Sequence, residues 1–476
     1  MPAVSSRSVI VPLIVACALF MEQLDSSIIA TALPVISRSL HTEPLHLNLA
    51  ITSYLFSLAV FIPLSGWVAD RFGARSVFRA AIVVFTAGSV LCGLSHNLGE
   101  LVGARILQGM GGAMMVPVGR LVMLRTVPRA ELVSAMAWLT TPALIGPVMG
   151  PPLGGFIVTY ASWRWIFFVN VPIGLLGLVL ATIFIPNVRE VTKEPLDLRG
   201  FILMALALAG LMFGFETVGR DLVPNEIVIG LLVTGAVCLG LYLIHVRGIA
   251  HPIIDLGLAK FQTYRVSITG GSLFRVGIGA LPFLLPIMLQ IGFGVSPAAS
   301  GLITFASAAG AVVMKMSAAP IIRRFGFRPI LVANALINVF FLAGCALFSP
   351  ATSHAMIFVF LLTGGFFRSL QFTALNTLAY AEIPPEFISR ANTLYSMLQQ
   401  LALSLGVTVG ALLLNLTLVV KGNPHLGPMD FWPAYLGIGI LSLLSVPFFA
   451  KLPADAGAEM SGHVTAPAPA RHQDPA

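Results

Sequence analysis

Charge is what this 476-residue sequence has least of: Asp, Glu, Lys and Arg make up 10% of it, against 57% hydrophobic residues. A water-soluble chain has roughly 25% charged residues, so that class is excluded. Cysteine is scarce as well. Cys17, Cys92, Cys238 and Cys345 stand alone within apolar runs, giving neither a disulfide framework nor metal-ligand spacing. Catalytic signatures are missing too: the sequence has no GxxxxGK[ST] phosphate loop, no HExxH and no GxSxG. An enzyme and an ATP-driven machine are thereby disfavoured, and no cofactor or metal is expected. The formal charge of +8 would suit a nucleic-acid partner only if the basic residues gathered on one soluble face. They are scattered instead through short loops between apolar segments.

Those segments are what the chain has in abundance. Mean hydropathy is +0.94, and runs of about 20 apolar residues, each enough to cross a bilayer as a helix, recur from end to end. Spans are predicted at 9–33, 48–69, 77–95, 99–123, 131–157, 164–185, 200–218, 226–246, 264–291, 298–322, 329–349, 354–380, 390–417 and 430–450. The first run is too long for a secretory signal and contains Glu22 and Asp25, so it counts as a span. The fold class is an all-α polytopic membrane protein. An even number of spans puts both termini on one side, where most Lys and Arg fall; only Arg38, Arg164, Arg220 and Lys421 lie opposite. The positive-inside rule makes the terminal side cytoplasmic. Residues 453–476, rich in Ala and Pro, read as a disordered tail.

Charges inside the spans are the most informative residues, because each costs roughly 2.5–3.5 kcal/mol at a helix centre on the insertion scale. They are Arg105, Arg120, Arg275, Lys315 and Arg368 against Glu22, Asp25 and Glu216. Arg120 and Glu216 lie near span ends and are expected to snorkel. At 1.5 Å per residue, Asp25 and Arg105 fall roughly 12 and 9 Å below the same surface, so they can meet across spans one and four. Glu22 is one turn before Asp25. Asp25, Glu22 and Arg105 are therefore the candidates for proton coupling. Arg275, Lys315 and Arg368 fall roughly 15, 11 and 18 Å from the other surface, which predicts one shared layer of cations near the midplane. With Gln371 and Asn376 they are the candidate solute-binding residues.

Two loops repeat: "GWVADRFGARSVF" (66–78) and "AAPIIRRFGFRPI" (318–330) align Arg71 with Arg324, Gly73 with Gly326 and Arg75 with Arg328. The repeat marks two six-span halves, 1–186 and 264–452, with an inserted pair of spans in 187–263. In "LIGPVMGPPLGGF" (144–156), Gly146, Gly150, Gly154 and Gly155 form a stripe for close helix approach, while Pro147, Pro151 and Pro152 weaken the helix.

These features resemble the major facilitator superfamily, and within it the fourteen-span drug:H⁺ antiporters of the EmrB/QacA type. The carriers of the resemblance are the loop motif (Gly66, Asp70, Arg71, Gly73, Arg75), "LVGARILQGMGGA" (101–113), "LDSSIIATALPVI" (24–36) and "WRWIFFVNVPIG" (163–174). "GAMMVPVGR" (112–120) and Lys315 are similar to multidrug transporters of the MdtD type. The resemblance implies two six-helix bundles that alternate access, and gives "GPVMGPPLGG" the place of the family's antiporter motif. Gating is then expected of Asp70, Arg71, Arg75, Gly146, Pro147, Gly150, Gly154 and Gly155. The function expected is proton-coupled export of drugs or other small organic solutes across a bacterial inner membrane. An anionic metabolite or metal chelate is the alternative cargo, and a non-transporting membrane sensor the remote one. Its partners would be a small-molecule substrate, protons and lipid, with a periplasmic adaptor as an option and the monomer as the working unit.

Overall fold

The computed structural model describes every residue except 1–5, 44–45, 127–145, 147–148, 186–195, 218–223, 250–253, 385–386, 423–425 and 459–476. Backbone groups in lipid have no water to bond, so apolar segments of this length satisfy themselves as helices. The first half comprises α1 (Ser6–Ser39), α2 (Asn48–Phe61), α3 (Leu64–Phe72), α4 (Ala74–Leu94), α5 (Leu98–Thr126), α6 (149–160), α7 (Trp165–Phe168) and α8 (Asn170–Phe184). The inserted pair is α9 (Leu198–Thr217) and α10 (Asn225–Val246). The second half comprises α11 (Gln262–Gly279), α12 (Leu281–Ile287), α13 (Pro297–Phe325), α14 (Phe327–Gly344), α15 (His354–Leu378), α16 (Ile388–Lys421), α17 (Trp432–Leu443) and α18 (Val446–Ala450).

Among the described residues, twelve helices are long and apolar enough to cross a membrane. Of the other two expected spans, 48–69 is divided into α2 and α3 at Pro63, which has no N–H to carry the helix through. The span at 131–157 lies partly outside the described residues, which resume helically at 149. Large apolar side chains such as Ile183, Ile229, Ile244 and Phe340 are more than half exposed around the perimeter, as lipid-facing positions should be. The molecule is an integral membrane protein.

The repeated loops have one physical cause. Gly73 (φ 90°) separates α3 from α4, and Gly326 (φ 74°) separates α13 from α14. Both occupy a backbone region that side chains rarely tolerate, so the repeat preserves a sharp turn between helices.

Packing differs between the two ends of the bundle. On the side opposite the chain termini, here the far side, one core joins both halves: Ile28, Leu33, Ile36, Trp163 and Phe167 of the first half share it with Phe283, Leu284, Ile303 and Tyr435 of the second. On the terminal side the packing is more divided: a core around Tyr264, Leu394 and Met397 takes in only Ala59 from the first half, and the two main cores there are separate. Val15, Leu58, Phe78 and Met123 belong to one, and Phe274, Met314, Leu331 and Leu375 to the other. The inserted pair is held together by close glycine contacts, Gly210 against Gly235 and Gly214 against Leu232. It bridges the halves laterally: Met212 packs with Phe56 and Val60 of α2, and Leu208 and Phe213 with Leu401 of α16.

Candidate functional site

In the first half, polar residues from five helices converge in a space that water does not reach. Asp25 of α1 and Arg105 of α5 form an ion pair at 2.5 Å with both side chains no more than 1% exposed. The depth argument from sequence brought them together, and the structure adds what completes them. Asp25 Oδ1 accepts from Gln108 Nε2 and Asn170 Nδ2, both at 2.7 Å. Arg105 donates to Gln108 Oε1 at 2.7 Å and to the Ala50 carbonyl at 2.9 Å. Ser89 takes bonds from both amides, at 2.7 and 3.1 Å, and the Tyr54 ring lies 4.2 Å from the guanidinium. A buried charge is tolerable when paired and fully bonded, and Asp25 meets that condition with three donors.

Glu22 does not. It is 6% exposed, and its Oε2 is buried with no hydrogen-bond partner. One turn from a saturated ion pair there is thus a carboxyl group with an unused oxygen. Asn170, Ser89 and Tyr54 were missed as site residues from sequence. Their only signal was polarity in the middle of apolar spans.

The glycine stripe of α6 divides between two tasks. A Cβ at Gly146, Gly150 or Gly154 would run into α1, 2.8 Å from Gln23 Cβ, 2.0 Å from Ser27 Oγ and 2.5 Å from Thr31 Oγ1 respectively. These three glycines lock α6 to α1 inside one half. Gly155 instead faces the other half, where a Cβ would sit 2.5 Å from the Pro297 carbonyl, while one at Gly301 would sit 2.3 Å from the Pro151 carbonyl. Gly155 and Gly301 therefore let α6 and α13 close backbone to backbone on the far side. Ala298 N donates to Thr159 Oγ1 at 3.2 Å, and Gln290 Nε2 donates to the Thr31 carbonyl at 2.9 Å across the same seam. Gln290 lies in a single π-helical turn, Met288–Gly292, just after Pro286. Such turns loosen a helix locally and recur at functional sites. The sequence reading gave Gln290 no role.

Of the other gating candidates, Arg71 is exposed and Arg75 donates to the Thr182 carbonyl of α8. Pro147 and the side chain of Asp70 lie outside the described residues, as do the side chains of Arg120, Glu216 and Lys315.

The expected single layer of cations in the second half does not form. Arg275, 1% exposed, donates to Tyr395 Oη and to Asn376 Oδ1 (3.3 Å), with the Phe372 and Tyr395 rings 5.5 and 4.8 Å from its guanidinium. Asn376 is two residues from the terminal-side end of α15. Arg368 points the opposite way, donating to Ser307 and lining a pocket with Cys345 and Phe360 towards the far side. The rise per residue locates Cα atoms, whereas these two heads diverge along long side chains. Gln371 is buried and spent on packing α15 to α14, bonding Asn334 and the Leu331 carbonyl.

Comparison with known proteins agrees with this architecture. The family model described as Major Facilitator Superfamily matches residues 15–407 and 267–467. The chain is 39% identical over 453 residues to "Putative multidrug resistance protein MdtD" of Escherichia coli O9:H4 (strain HS), covering 93% of this chain and 94% of that one. In fold it is similar to a D-xylose-proton symporter (TM-score 0.67, 17% identity, 94% of this chain and 98% of that one). It is likewise similar to a bacterial homologue of the human lysosomal transporter Spinster in an inward-facing, unoccupied conformation (TM-score 0.64, 16% identity, 98% and 100%). Two helical halves sealed at one end, a buried charge network within the first of them, and a match over nearly the whole chain lead to one conclusion: this chain belongs to the major facilitator superfamily and is a membrane transporter.

Proposed function

We propose that the protein is a proton-coupled exporter of small organic solutes, drugs among them, with both termini on the cytoplasmic side of a bacterial inner membrane. The observation that carries this reading is the unpartnered Glu22 oxygen beside the saturated Asp25–Arg105 pair. A carboxyl group that lacks donors at such depth holds a proton at little cost, and shedding that proton restores an uncompensated charge. Glu22 and Asp25 together thus form a site whose proton occupancy sets the charge of the first half.

The broad far-side core shared by both halves, against two main terminal-side cores that stay apart, supports a cycle in which solute enters from the cytoplasm. Rocking of the halves would part α6 from α13 at Gly155 and Gly301 and open the far side. A proton arriving there displaces the solute, and its release on the cytoplasmic side resets the network. The relative named for multidrug resistance supports a drug-like cargo.

The test is uptake of ethidium by inverted membrane vesicles with an imposed pH gradient. Uptake that collapses with a protonophore is expected. Uptake indifferent to the gradient would overturn proton coupling.

A further inference from the structure

Arg368 poses a problem of charge that the transport cycle leaves unsolved. From Asp255 to Glu382 the sequence contains no acidic residue. Of the described acidic residues beyond that stretch, Glu382 caps α11 through Thr263 N, Asp430 is bound to Lys421 at 2.7 Å and Asp455 follows α18. None of them pairs with Arg368, whose one described partner is the Ser307 hydroxyl. Arg275 also lacks a carboxylate and leaves its Nε buried and unbonded, but a phenol, an amide oxygen and two ring faces surround its head.

Local packing explains where the Arg368 head goes. A Cβ at Gly365 would sit 2.0 Å from the Ser307 carbonyl, so α13 and α15 touch backbone to backbone one turn before Arg368. The long side chain runs back along α15, where its head meets the Ser307 hydroxyl beside that contact. It reaches a cavity of about 20 Å³ walled by Asn338, Phe341, Cys345, Phe360 and Leu361. The Asn338 amide is already spent on the Asn334 carbonyl at 2.8 Å, and the Cys345 thiol on the Phe341 carbonyl at 3.2 Å. Arg368 is half-buried and itself lines this cavity, with the Ser307 hydroxyl as its described hydrogen-bond partner. A cavity of that size holds one water-sized guest.

We propose that this pocket is a binding site for a small monovalent anion of halide size, which serves as the counter-ion of Arg368. Apart from the guanidinium and the Asn338 amide the walls are apolar, and one negative charge neutralises the site. A carboxylate reaching in from a bulkier solute would supply the same charge, and comparing acetate with halide separates the two. The anion stays with the second half while the first half changes its proton occupancy, so the site goes beyond the proposed coupling and does not depend on it.

The test uses the purified full-length chain in detergent, with thermal unfolding followed by tryptophan fluorescence. Sodium chloride or bromide replaces sodium gluconate at constant ionic strength and pH. A saturable rise in the midpoint, roughly 3 °C or more when halide is in hundredfold excess over its Kd, is expected for the wild type and absent in Arg368→Gln. Equal midpoints in halide and gluconate would mean that water fills the pocket, and would overturn the proposal. So would an unchanged halide response in Arg368→Gln. Acetate or benzoate saturating the response where halides do not would assign the charge to a solute carboxylate instead. If Arg368→Gln does not fold, bromide anomalous scattering from wild-type crystals decides: a peak beside Arg368 is expected, and an empty pocket refutes the site.

Discussion

The two halves of this transporter share their backbone devices and differ in their charges. Gly73 and Gly326 make the same turn at the same register, yet the first half buries an acid–base pair deep among its helices, while the Arg275 and Arg368 heads of the second half are held by hydroxyl and amide oxygens and its buried Asp430 pairs with Lys421 at a helix end. Packing devices survive duplication because any side chain at such a turn strains the backbone in either half. Charge networks can diverge, since each half needs only to satisfy its own. Under the proposed coupling the difference becomes a division of labour, with proton sensing assigned to the half that holds Glu22 and Asp25 and a fixed charge to the guanidinium groups of the other.

The largest effect should come from breaking the first half's pair. Asp25→Asn leaves Arg105 buried without a counter-charge, which is expected to cost about 3–5 kcal/mol and to abolish proton-driven export. The double variant Asp25→Asn, Arg105→Gln should recover much of the stability while remaining inactive. Thermal unfolding and vesicle uptake, run side by side on both variants, separate the two effects. A double variant that still pumps under a pH gradient would show that the pair is structural only.

Next in size is the seal. Gly301→Val places a branched side chain where a Cβ already lies 2.3 Å from the Pro151 carbonyl, so the far side cannot close and the population should move tenfold or more towards far-side opening. Labelling of single cysteines on the far-side faces of α1 and α12 would rise. Gly150→Ala, whose Cβ meets Ser27 within the same half, should lower thermal stability without changing that labelling. Equal labelling changes in both variants would erase the distinction between the glycines that lock and the glycine that parts.

Much of this was legible in the sequence, and the gaps have physical causes. Twelve of the fourteen expected spans stand among the described residues as helices long and apolar enough to cross a membrane, and the repeated loop marks the same turn in each half, because apolar runs and turn glycines are local properties. The meeting of Asp25 and Arg105 followed from depth, because two facing charges in lipid have strong reason to pair. Depth failed for Arg275 and Arg368, whose heads sit a full side-chain length from their Cα positions and in opposite directions. The glycine stripe was visible, but not that α1 claims three of its members and α13 the fourth. Partner choice is a tertiary property. Asn170 escaped notice for the same reason, since only the fold brings it within 2.7 Å of Asp25.

A smaller effect on stability, with a clear one on transport, is expected for Glu22→Gln. Its Oε2 has no partner to lose, so the unfolding midpoint should stay within about 1 °C of wild type, as for substitutions that break no named interaction. Uptake by inverted vesicles should lose its dependence on the pH gradient, though ethidium still binds. A variant that keeps full gradient-driven uptake would remove Glu22 from the proton path and leave Asp25 as the carrier.

The smallest effect on transport is expected where the shared part of the comparison is tested. Gly73→Ala and Gly326→Ala each force a Cβ into a conformation with φ of 90° and 74°, which costs roughly 1–3 kcal/mol wherever it occurs. If the two loops are the same device, the two variants should lose similar stability, and the losses should add in the double variant because the turns lie in separate terminal-side cores. Unfolding midpoints of the three proteins measure this directly. A much larger loss at Gly73 than at Gly326 would mean that the first-half loop, with Asp70 and Arg71 beside it, carries an interaction beyond the turn itself, and the symmetry of the backbone devices would fail along with that of the charges.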